Sequence, residues 1–210
     1  MKPIVANGLR RYANGMTLND TSSALSLLKT RRSGKPRDLV PPGPTEAELA
    51  QILNIAVRAP DHGKLSPWRF VIVGHDQRQA LAELLHRALP EYDPEAADAH
   101  YAKELEFAYQ APVMIVLVSA PVREHKIPVW EQELSCGAVG MNILHAATAF
   151  GYVGGWITGW RAYSEQVRQA FCNDGERIAG FIFLGTPRIP LEERPRPNIE
   201  DLARHWIPPA

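Results

Sequence analysis

The stretch from Glu131 to Phe150 constrains the fold of this chain more than any other, because it predicts one long helix that ends at the C-cap residue Gly151. A helix that is apolar nearly all round is a buried helix. We therefore expect it to form the centre of the core, or also to pack against a second subunit. Its apolar residues lie on more than one helical face: Leu134, Ala138, Val139, Met141, Ile143, Leu144, Ala146 and Ala147.

Helices and strands are expected to alternate around this element. Thr45 and Glu48 form a capping-box pattern ahead of an amphipathic helix. Apolar, β-branched runs predict strands. Helices interleaved with about four strands indicate an α/β or α+β sandwich. The predicted strands are Trp68–Val73, Val113–Ser119, Gly154–Thr158 and Ile178–Leu184.

Composition excludes several functional classes. The 210 residues include 23 Lys and Arg against 23 Asp and Glu, so the formal net charge is zero, a poor match to nucleic acid or to an anionic membrane surface. No signal-peptide pattern opens the chain, and the longest aliphatic run is far too short to cross a bilayer. Two cysteines and seven histidines without ligand spacing predict no metal site. We expect a cytoplasmic protein without nucleic-acid or membrane partners.

The first segment with chemical potential is Arg31-Arg32-Ser33, at the predicted end of a helix. Two guanidiniums beside a hydroxyl are a good donor set for a phosphate group. The alternative is a solvated basic helix terminus, which the helix dipole favours.

The second segment runs from Arg58 to Trp68 and joins a helix to a strand. Connectors of this kind usually have two to six residues, and this one holds two prolines, a glycine and several hydrogen-bond donors. It is either a binding loop or a structural loop in which His62 is merely hydrogen-bonded.

The third segment, Gly151 to Trp160, is rich in glycine, which lets another group approach the main chain closely. On a regular strand Trp156 and Trp160 would share one face. Main-chain N–H groups beside an aromatic wall would suit the binding of a flat heterocycle. The alternative interpretation of this segment is a core strand with a glycine bulge.

The chain divides into an N-terminal extension (1–20), a main domain (21–190) and a C-terminal arm (191–210). Repeated prolines from Pro187 onward predict an arm without regular structure. Apolar residues such as Trp206 suit packing on a partner subunit or on the arm's own domain.

Together these motifs resemble the nitroreductase family of FMN-dependent oxidoreductases, and most of all small bacterial NAD(P)H nitroreductases. The resemblance covers about residues 22–190. It rests on R-R-S, then R-A-P-D-H-x(4)-P-W, then G-G-W-x-x-G, then F-L-G-T-P-R, in this order.

The resemblance implies an α+β fold with a mostly antiparallel sheet flanked by helices, in a domain-wrapped homodimer with FMN sites at the interface. It implies reduction of nitroaromatics, quinones or similar small electron-poor acceptors by NAD(P)H, through a ping-pong hydride transfer.

The resemblance also implies roles for individual residues. Arg31, Arg32, Ser33 and Arg188 would hold the phosphate end of FMN, and Trp156, Ile157 and Thr158 would line its ring. Arg58 and His62 would approach the flavin of the opposite subunit. By its position alone His62 is a candidate proton donor, and its alternative role is to orient the flavin or the loop. A stretch assigned to the nicotinamide nucleotide in related proteins is Ala146, Ala147, Thr148, Ala149, Phe150 and Gly151.

Two residues depart from the broader family pattern, because Lys64 and Ser66 stand where Asn and Gln are common. Lys64 would either weaken flavin binding or place positive charge near the ring. These departures keep open a flavin-binding or sensing protein with little turnover. A separate alternative is a specialised flavin enzyme on the same fold.

Overall fold

The computed structural model describes residues 17–209. Within them the α-helices are α1 Ala24–Thr30, α2 Glu46–Ala56, α3 Arg78–Tyr92, α4 Asp98–Tyr109, α5 Val129–Ala149, α6 Glu165–Phe171 and α7 Ile199–Leu202. The strands are β1 Leu39–Val40, β2 Trp68–Val73, β3 Val113–Ser119, β4 Val153–Ile157 and β5 Arg177–Pro187. Short 3-10 turns cover Pro36–Asp38, His75–Gln77 and Trp160–Ala162.

The strands form one sheet in which every pairing is antiparallel. Both β3 and β4 pair with the stretch Phe181–Leu184 of β5, so they lie on opposite edges of that strand. β2 pairs with β3, and the short β1 pairs with the end of β5 at Thr186 and Pro187. The expected α+β class with an antiparallel sheet flanked by helices is confirmed.

Side-chain alternation along the central strands divides the core into two layers. On β3, Met114 and Val116 pack into a cluster with α3, α4 and α6, whereas Ile115 and Leu117 pack on the other face with α2 and α5. Strand β5 alternates in the same way. The sheet is therefore covered by helices on both faces, which explains why the sequences of the central strands are apolar almost throughout.

The expected long helix is present as α5, and Gly151 ends it as predicted. Gly151 has a φ of 88°, its N–H donates to the Thr148 carbonyl, and the Tyr152 N–H donates to the Ala147 carbonyl. These two bonds are the Schellman arrangement that satisfies the last carbonyls of a helix. Val139, Ile143 and other α5 residues are buried against the sheet, but Leu134 is 54% exposed in the single chain.

Two local expectations are wrong. Strand β4 ends at Ile157, and Trp160 begins a 3-10 turn where its ring stacks on Tyr92, so Trp156 and Trp160 do not form one aromatic wall. The arm is not entirely irregular, since its residues Ile199–Leu202 form one helical turn capped by the Asn198 side chain. Asparagine is a strong N-cap residue, and this signal competes with the surrounding prolines.

Most of the predicted N-terminal extension, residues 1–16, lies outside the described residues. Leu18 is buried, and the main-chain N–H groups of Asn19 and Asp20 both donate to Thr30. Residues 18–20 are thus fastened to the end of α1. No helix within residues 17–209 is both long and apolar enough to cross a membrane.

Candidate functional site

The basic and glycine-rich segments meet at β4. The N–H of Gly34 donates to the Gly154 carbonyl at 3.2 Å, which lays the chain after Ser33 against the strand. Gly155 makes this approach feasible, because a side chain there would collide with the Gly34 carbonyl oxygen. Two segments that are 120 residues apart in sequence therefore share one surface.

A cavity of about 440 Å³ opens at this junction. This volume lies within the range of small-molecule and cofactor sites. Of the residues that the sequence predicts for the site, Arg32, Ser33, Trp156 and Ile157 line it. The rest of its wall comes from Gly34, Lys35, Pro36, Asp38, Leu39, Gly155, Pro187, Ile189, Pro190, Leu191, Glu192, Glu193 and Arg194.

Asn19 holds the main chain of the basic segment. Its side-chain oxygen accepts from the Arg32 N–H at 2.6 Å, and its amide group donates to the Arg32 carbonyl at 3.3 Å. Next to it, an Arg31 guanidinium N–H donates to the Ser33 hydroxyl at 3.3 Å. The three residues predicted to bind phosphate thus form one ordered group. Sequence reasoning placed Asn19 in a loose extension and did not assign it this role.

Burial is the main influence that lowers the pKa of both guanidiniums. For Arg31, nearby Arg196 and Arg32 lower the pKa further, and for Arg32, Arg194 and Arg196 do so. Guanidiniums of the basic segment and of the arm thus lie close together at a partly desolvated position, and the Glu193 carboxylate offsets part of their positive charge. Such an arrangement favours an anionic ligand.

The C-terminal arm supplies the largest part of the site that sequence reasoning missed. The Arg32 Nε–H donates to the Glu192 carbonyl at 2.8 Å, and Arg32 Nε lies 3.8 Å from the Glu193 carboxylate. The sequence signal for this contact was the charged run Glu192-Glu193-Arg194-Pro195-Arg196. The prolines and apolar residues of the same arm instead predicted an irregular segment that packs on a protein surface.

Arg188 lies next to the cavity wall residue Pro187 but is already paired. The Arg188 guanidinium contacts the Asp38 carboxylate at 3.1 Å, and the main-chain N–H of Arg188 donates to the Asp38 carbonyl at 2.9 Å. Asp38 is buried and lines the cavity. The pair thus fastens the end of β5 to the turn that follows the basic segment.

The Trp156 indole points into the core. Its Nε1–H donates to the Ala179 carbonyl at 3.1 Å, and the ring occupies space beside Gly140 and Gly180 that side chains there would fill. The indole therefore fixes β4 against α5 and β5. Thr158, the next predicted ring contact after Ile157, follows the end of the strand and is half-buried.

The loop after α2 lies against α5. The Ser135 hydroxyl donates to the Pro60 carbonyl at 2.7 Å, and His62 Nδ1 lies 2.7 Å from the Glu131 carboxylate. Arg58, His62 and Lys64 are exposed, and none of them is part of the cavity wall formed by the described residues.

Asp61 determines the shape of this loop. Its carboxylate accepts from the N–H groups of Leu65 and Ser66 at 3.2 and 2.8 Å. Lys64 and Ser66 have φ values of 57° and 49°, a backbone region that disfavours residues other than glycine, asparagine and aspartate. The loop is thus an ordered structure that presents the Lys64 side chain to solvent.

The stretch compared with nicotinamide-binding segments forms the end of α5. Ala146, Ala147 and Thr148 are buried, and the Thr148 hydroxyl donates to the Leu144 carbonyl at 2.9 Å. Ala149 and Gly151 are exposed and Phe150 is half-buried. Only the last part of this stretch is accessible to a ligand in the single chain.

Among residues 17–209, no cluster of three or more His, Cys, Asp or Glu side chains is placed to hold a metal ion. Burial raises the pKa of the Cys136 thiol to about 11. This cysteine therefore stays a neutral, unreactive core residue near neutral pH.

Comparison with known proteins identifies the family. The family model described as "Nitroreductase family" matches residues 28–186, which include both the basic segment and β4. The chain belongs to the nitroreductase family. The Escherichia coli (strain K12) relative named "Putative NAD(P)H nitroreductase YdjA" is 37% identical over 169 residues, which cover 79% of this chain and 89% of that protein.

Solved structures of other nitroreductases have the same fold. A nitroreductase-like family protein from Bacillus cereus superimposes with a TM-score of 0.74 at 20% identity, covering 88% of this chain and 96% of its own. The FMN and NADPH-dependent nitroreductase NfnB from Sphigopyxis sp. strain HMH superimposes with a TM-score of 0.65 at 21% identity, covering 88% and 99%. Membership in this oxidoreductase family makes the chain an enzyme of the nitroreductase type.

Proposed function

We propose that this protein is an FMN-dependent oxidoreductase that uses NAD(P)H to reduce nitroaromatic, quinone or similar electron-poor compounds. The single observation that carries the proposal is the common cavity of the Arg32–Ser33 segment and the Gly155–Ile157 segment. One part of the cavity wall carries the Arg32 guanidinium and the Ser33 hydroxyl, and another part is main chain from a glycine-rich strand. A phosphorylated heterocycle has the matching two ends.

The residues present suit FMN. Arg32 and Ser33 line the cavity and would offer a guanidinium and a hydroxyl group to a phosphate, and Arg31, which is bonded to Ser33, would add a second guanidinium. Arg188, next to the wall residue Pro187 and paired with Asp38, would add a further cation. Trp156, Ile157 and Thr158 would offer main-chain groups to the ring. Because the Trp156 indole is held in the core, the strand keeps its position without help from a ligand.

The bound flavin would supply the redox chemistry, the transfer of two electrons and a proton from NAD(P)H to the acceptor. The residues of the chain itself would bind the flavin and orient it. The partly buried guanidiniums compensate the charge of the phosphate, and apolar wall residues such as Leu39 and Ile157 exclude water from part of the cavity. Exposed cations such as Lys64 would stabilise negative charge on a ring nearby.

The exposed loop residues Arg58, His62 and Lys64 are proposed to act on the flavin of the opposite subunit in a homodimer. The single chain supports this in two ways. The loop lies apart from its own cavity wall, and large apolar side chains stay exposed on α1, α5 and the arm. Exposed apolar groups of this size are typical of association surfaces. They include Leu25, Leu28, Trp130, Leu134, Trp206 and Ile207.

His62 is the proposed proton donor, and Glu131 would orient it. If His62 Nδ1–H donates to the Glu131 carboxylate, this hydrogen bond fixes the orientation of the ring, and Nε2 stays available for another partner. The exposed end of the 146–151 stretch is proposed as the part that contacts the nicotinamide nucleotide.

Purification and absorbance spectroscopy test the proposal. We expect a yellow protein that releases FMN on denaturation and is bleached by NADH or NADPH under anaerobic conditions. A nitroaromatic or a quinone then restores the colour. A flavin that binds but resists both nicotinamides would instead favour the sensing protein. Oxygen-dependent or dehalogenating turnover without nitroaromatic reduction would favour the specialised enzyme.

The Arg31→Ala variant tests the assignment of the phosphate end. We expect weaker binding of FMN, with little change for riboflavin, which lacks the phosphate. Equal retention of FMN by wild type and variant would remove Arg31 from the site.

A further inference from the structure

The residues just before α1 are bonded back onto the end of that helix. The N–H of Asn19 donates to the Thr30 carbonyl at 3.0 Å, and the N–H of Asp20 donates to the Thr30 hydroxyl at 2.9 Å. The side chain of Leu18 is buried. This short segment is therefore ordered, and it brings the Asn19 side chain to the main chain of Arg32.

Asn19 bonds to Arg32 in the way that a neighbouring β-strand would. Its carboxamide accepts from the Arg32 N–H and donates to the Arg32 carbonyl, so one side chain satisfies both main-chain polar groups of one residue. Two hydrogen-bonded residues of an antiparallel ladder exchange the same pair of bonds. Asn19 also has a φ of 54°, in the left-handed region that asparagine tolerates better than most residues. Main-chain conformation and side-chain chemistry thus both favour asparagine at this position.

These two bonds are one of two points at which the main chain of the basic segment is held. The second point is Gly34, whose N–H donates to the Gly154 carbonyl of β4. The cavity-lining Ser33 lies between the two points, and Arg32 lies at the first of them. Because the main chain is held on both sides of Ser33, the guanidinium and hydroxyl donors need little further ordering to receive an anion. Ordering that has to occur on binding lowers affinity.

The neutral amide of Asn19 also suits the charge of this place. A carboxylate could accept from the Arg32 N–H, but an ionised carboxylate has no donor for the Arg32 carbonyl. It would also bring a negative charge to a segment that is proposed to attract one. Asn19 satisfies the main chain of Arg32 without reducing the attraction of the guanidiniums for an anion.

We propose that Asn19 is a positioning residue for the anion-binding part of the cavity, because its carboxamide holds the Arg32 main chain so that the Arg32 and Ser33 side chains are presented to the phosphate of the cofactor. The two bonds are called the Asn19 clamp below. This inference rests on the proposed use of FMN. Asn19 precedes residues 28–186, which the family model matches, so membership in the family does not by itself supply the clamp.

The Asn19→Gly variant tests the clamp, because glycine adopts the left-handed conformation without strain and lacks the carboxamide. We expect FMN binding to weaken about tenfold, which corresponds to about 1.4 kcal/mol, the size of two modest hydrogen bonds. Riboflavin, which lacks the phosphate, should bind wild type and variant equally. A purely structural role of Asn19 would instead weaken the binding of both flavins alike.

Thr30→Val is the matched control. It removes the hydroxyl that fastens Asp20 in the same segment, and it leaves the bonds between Asn19 and Arg32 intact. Quenching of flavin fluorescence during titration of flavin-stripped protein measures both affinities, and urea unfolding shows that each variant is folded. A loss of affinity for FMN alone, in Asn19→Gly alone, supports the clamp. Equal losses for the two flavins, or the same loss of FMN affinity in Thr30→Val, overturn it.

The clamp and the proposed function fail in distinguishable ways. If wild-type protein prefers FMN to riboflavin and Asn19→Gly keeps that preference in full, the clamp is wrong and the flavin site stands. If wild type binds neither flavin, the proposed function itself fails and the clamp fails with it.

Discussion

The carbonyl oxygen of Gly34 lies 2.7 Å from the point where a side chain on Gly155 would begin. This contact joins the segment after Ser33 to β4, and the cavity is built around it. Any atom added at position 155 must move main chain rather than the end of a flexible side chain. The candidate site is therefore sensitive to a single methyl group.

Gly155→Ala should open this junction. We expect the free energy of unfolding to fall by about 1–3 kcal/mol, the usual cost of overpacking, and FMN binding to weaken as the basic segment separates from β4. Thermal unfolding and flavin titration measure the two effects. Gly137→Ala on α5 is the control: no atom lies within 4 Å of its added methyl group, so its stability should stay or rise. Equal behaviour of the two variants would contradict the prediction.

The ion pair of Glu104 and Arg161 should contribute strongly to stability. Its Nε–Oε2 distance is 2.5 Å, both side chains are largely buried, and the Arg161 guanidinium also lies 4.1 Å from the centre of the Phe107 ring. Glu104→Gln leaves a buried cation without its counter-charge, and we expect a loss of about 3 kcal/mol in urea unfolding.

The control for this pair is Glu165→Gln, which breaks the contact with Arg168 at a solvent-exposed position. Exposed ion pairs contribute little, so this variant should unfold like wild type. A loss as large as that of Glu104→Gln would show that the buried position is not the cause.

Leu134→Asp tests the proposed homodimer. The charge would stand on the exposed face of α5, and we expect sedimentation to show a monomer that also retains less FMN. Leu105→Asp is the matched control, because Leu105 is also exposed but lies on α4, in the helical layer on the other side of the sheet. A monomeric wild type with full flavin occupancy would contradict the shared site.

His145 should make stability depend on pH. Burial, and then the positive charge of Arg31, lower the pKa of His145 from its ordinary value of 6.5. Below pH 6.5 the unfolded chain binds a proton at this residue more readily than the native protein does. The free energy of unfolding therefore decreases as the pH falls below 6.5, whereas above pH 6.5 the stabilising effect of the neutral His145 is fully present.

His145→Asn should therefore lose less stability than wild type between about pH 6.5 and pH 5. Urea midpoints across this range provide the measurement. His205→Asn, at an exposed position in the arm, is the control and should follow the wild-type curve. A parallel decline in wild type and His145→Asn would remove His145 as the source.

Local signals were strong enough to predict helices α2 and α5 and strands β2 to β5. The capping box of Thr45 and Glu48 is present with both bonds formed, and strands β2 and β3 have the predicted bounds. Trp160 was misplaced because alternation predicts facing residues only while the strand continues, and the strand ends at Ile157. Asn19 and Glu193 were missed because their roles depend on contacts with Arg32, which is distant in sequence.

The sequence by itself determined the periodic elements, the C-cap of α5 and the identity of the basic and glycine-rich segments, since these depend on interactions between residues a few positions apart. The tertiary structure decided that Gly34 and Gly155 touch and that the arm closes on Arg32. It also directed the Trp156 indole into the core. Those outcomes depend on close packing between distant segments, where the available volume, and not a local pattern, decides which groups meet.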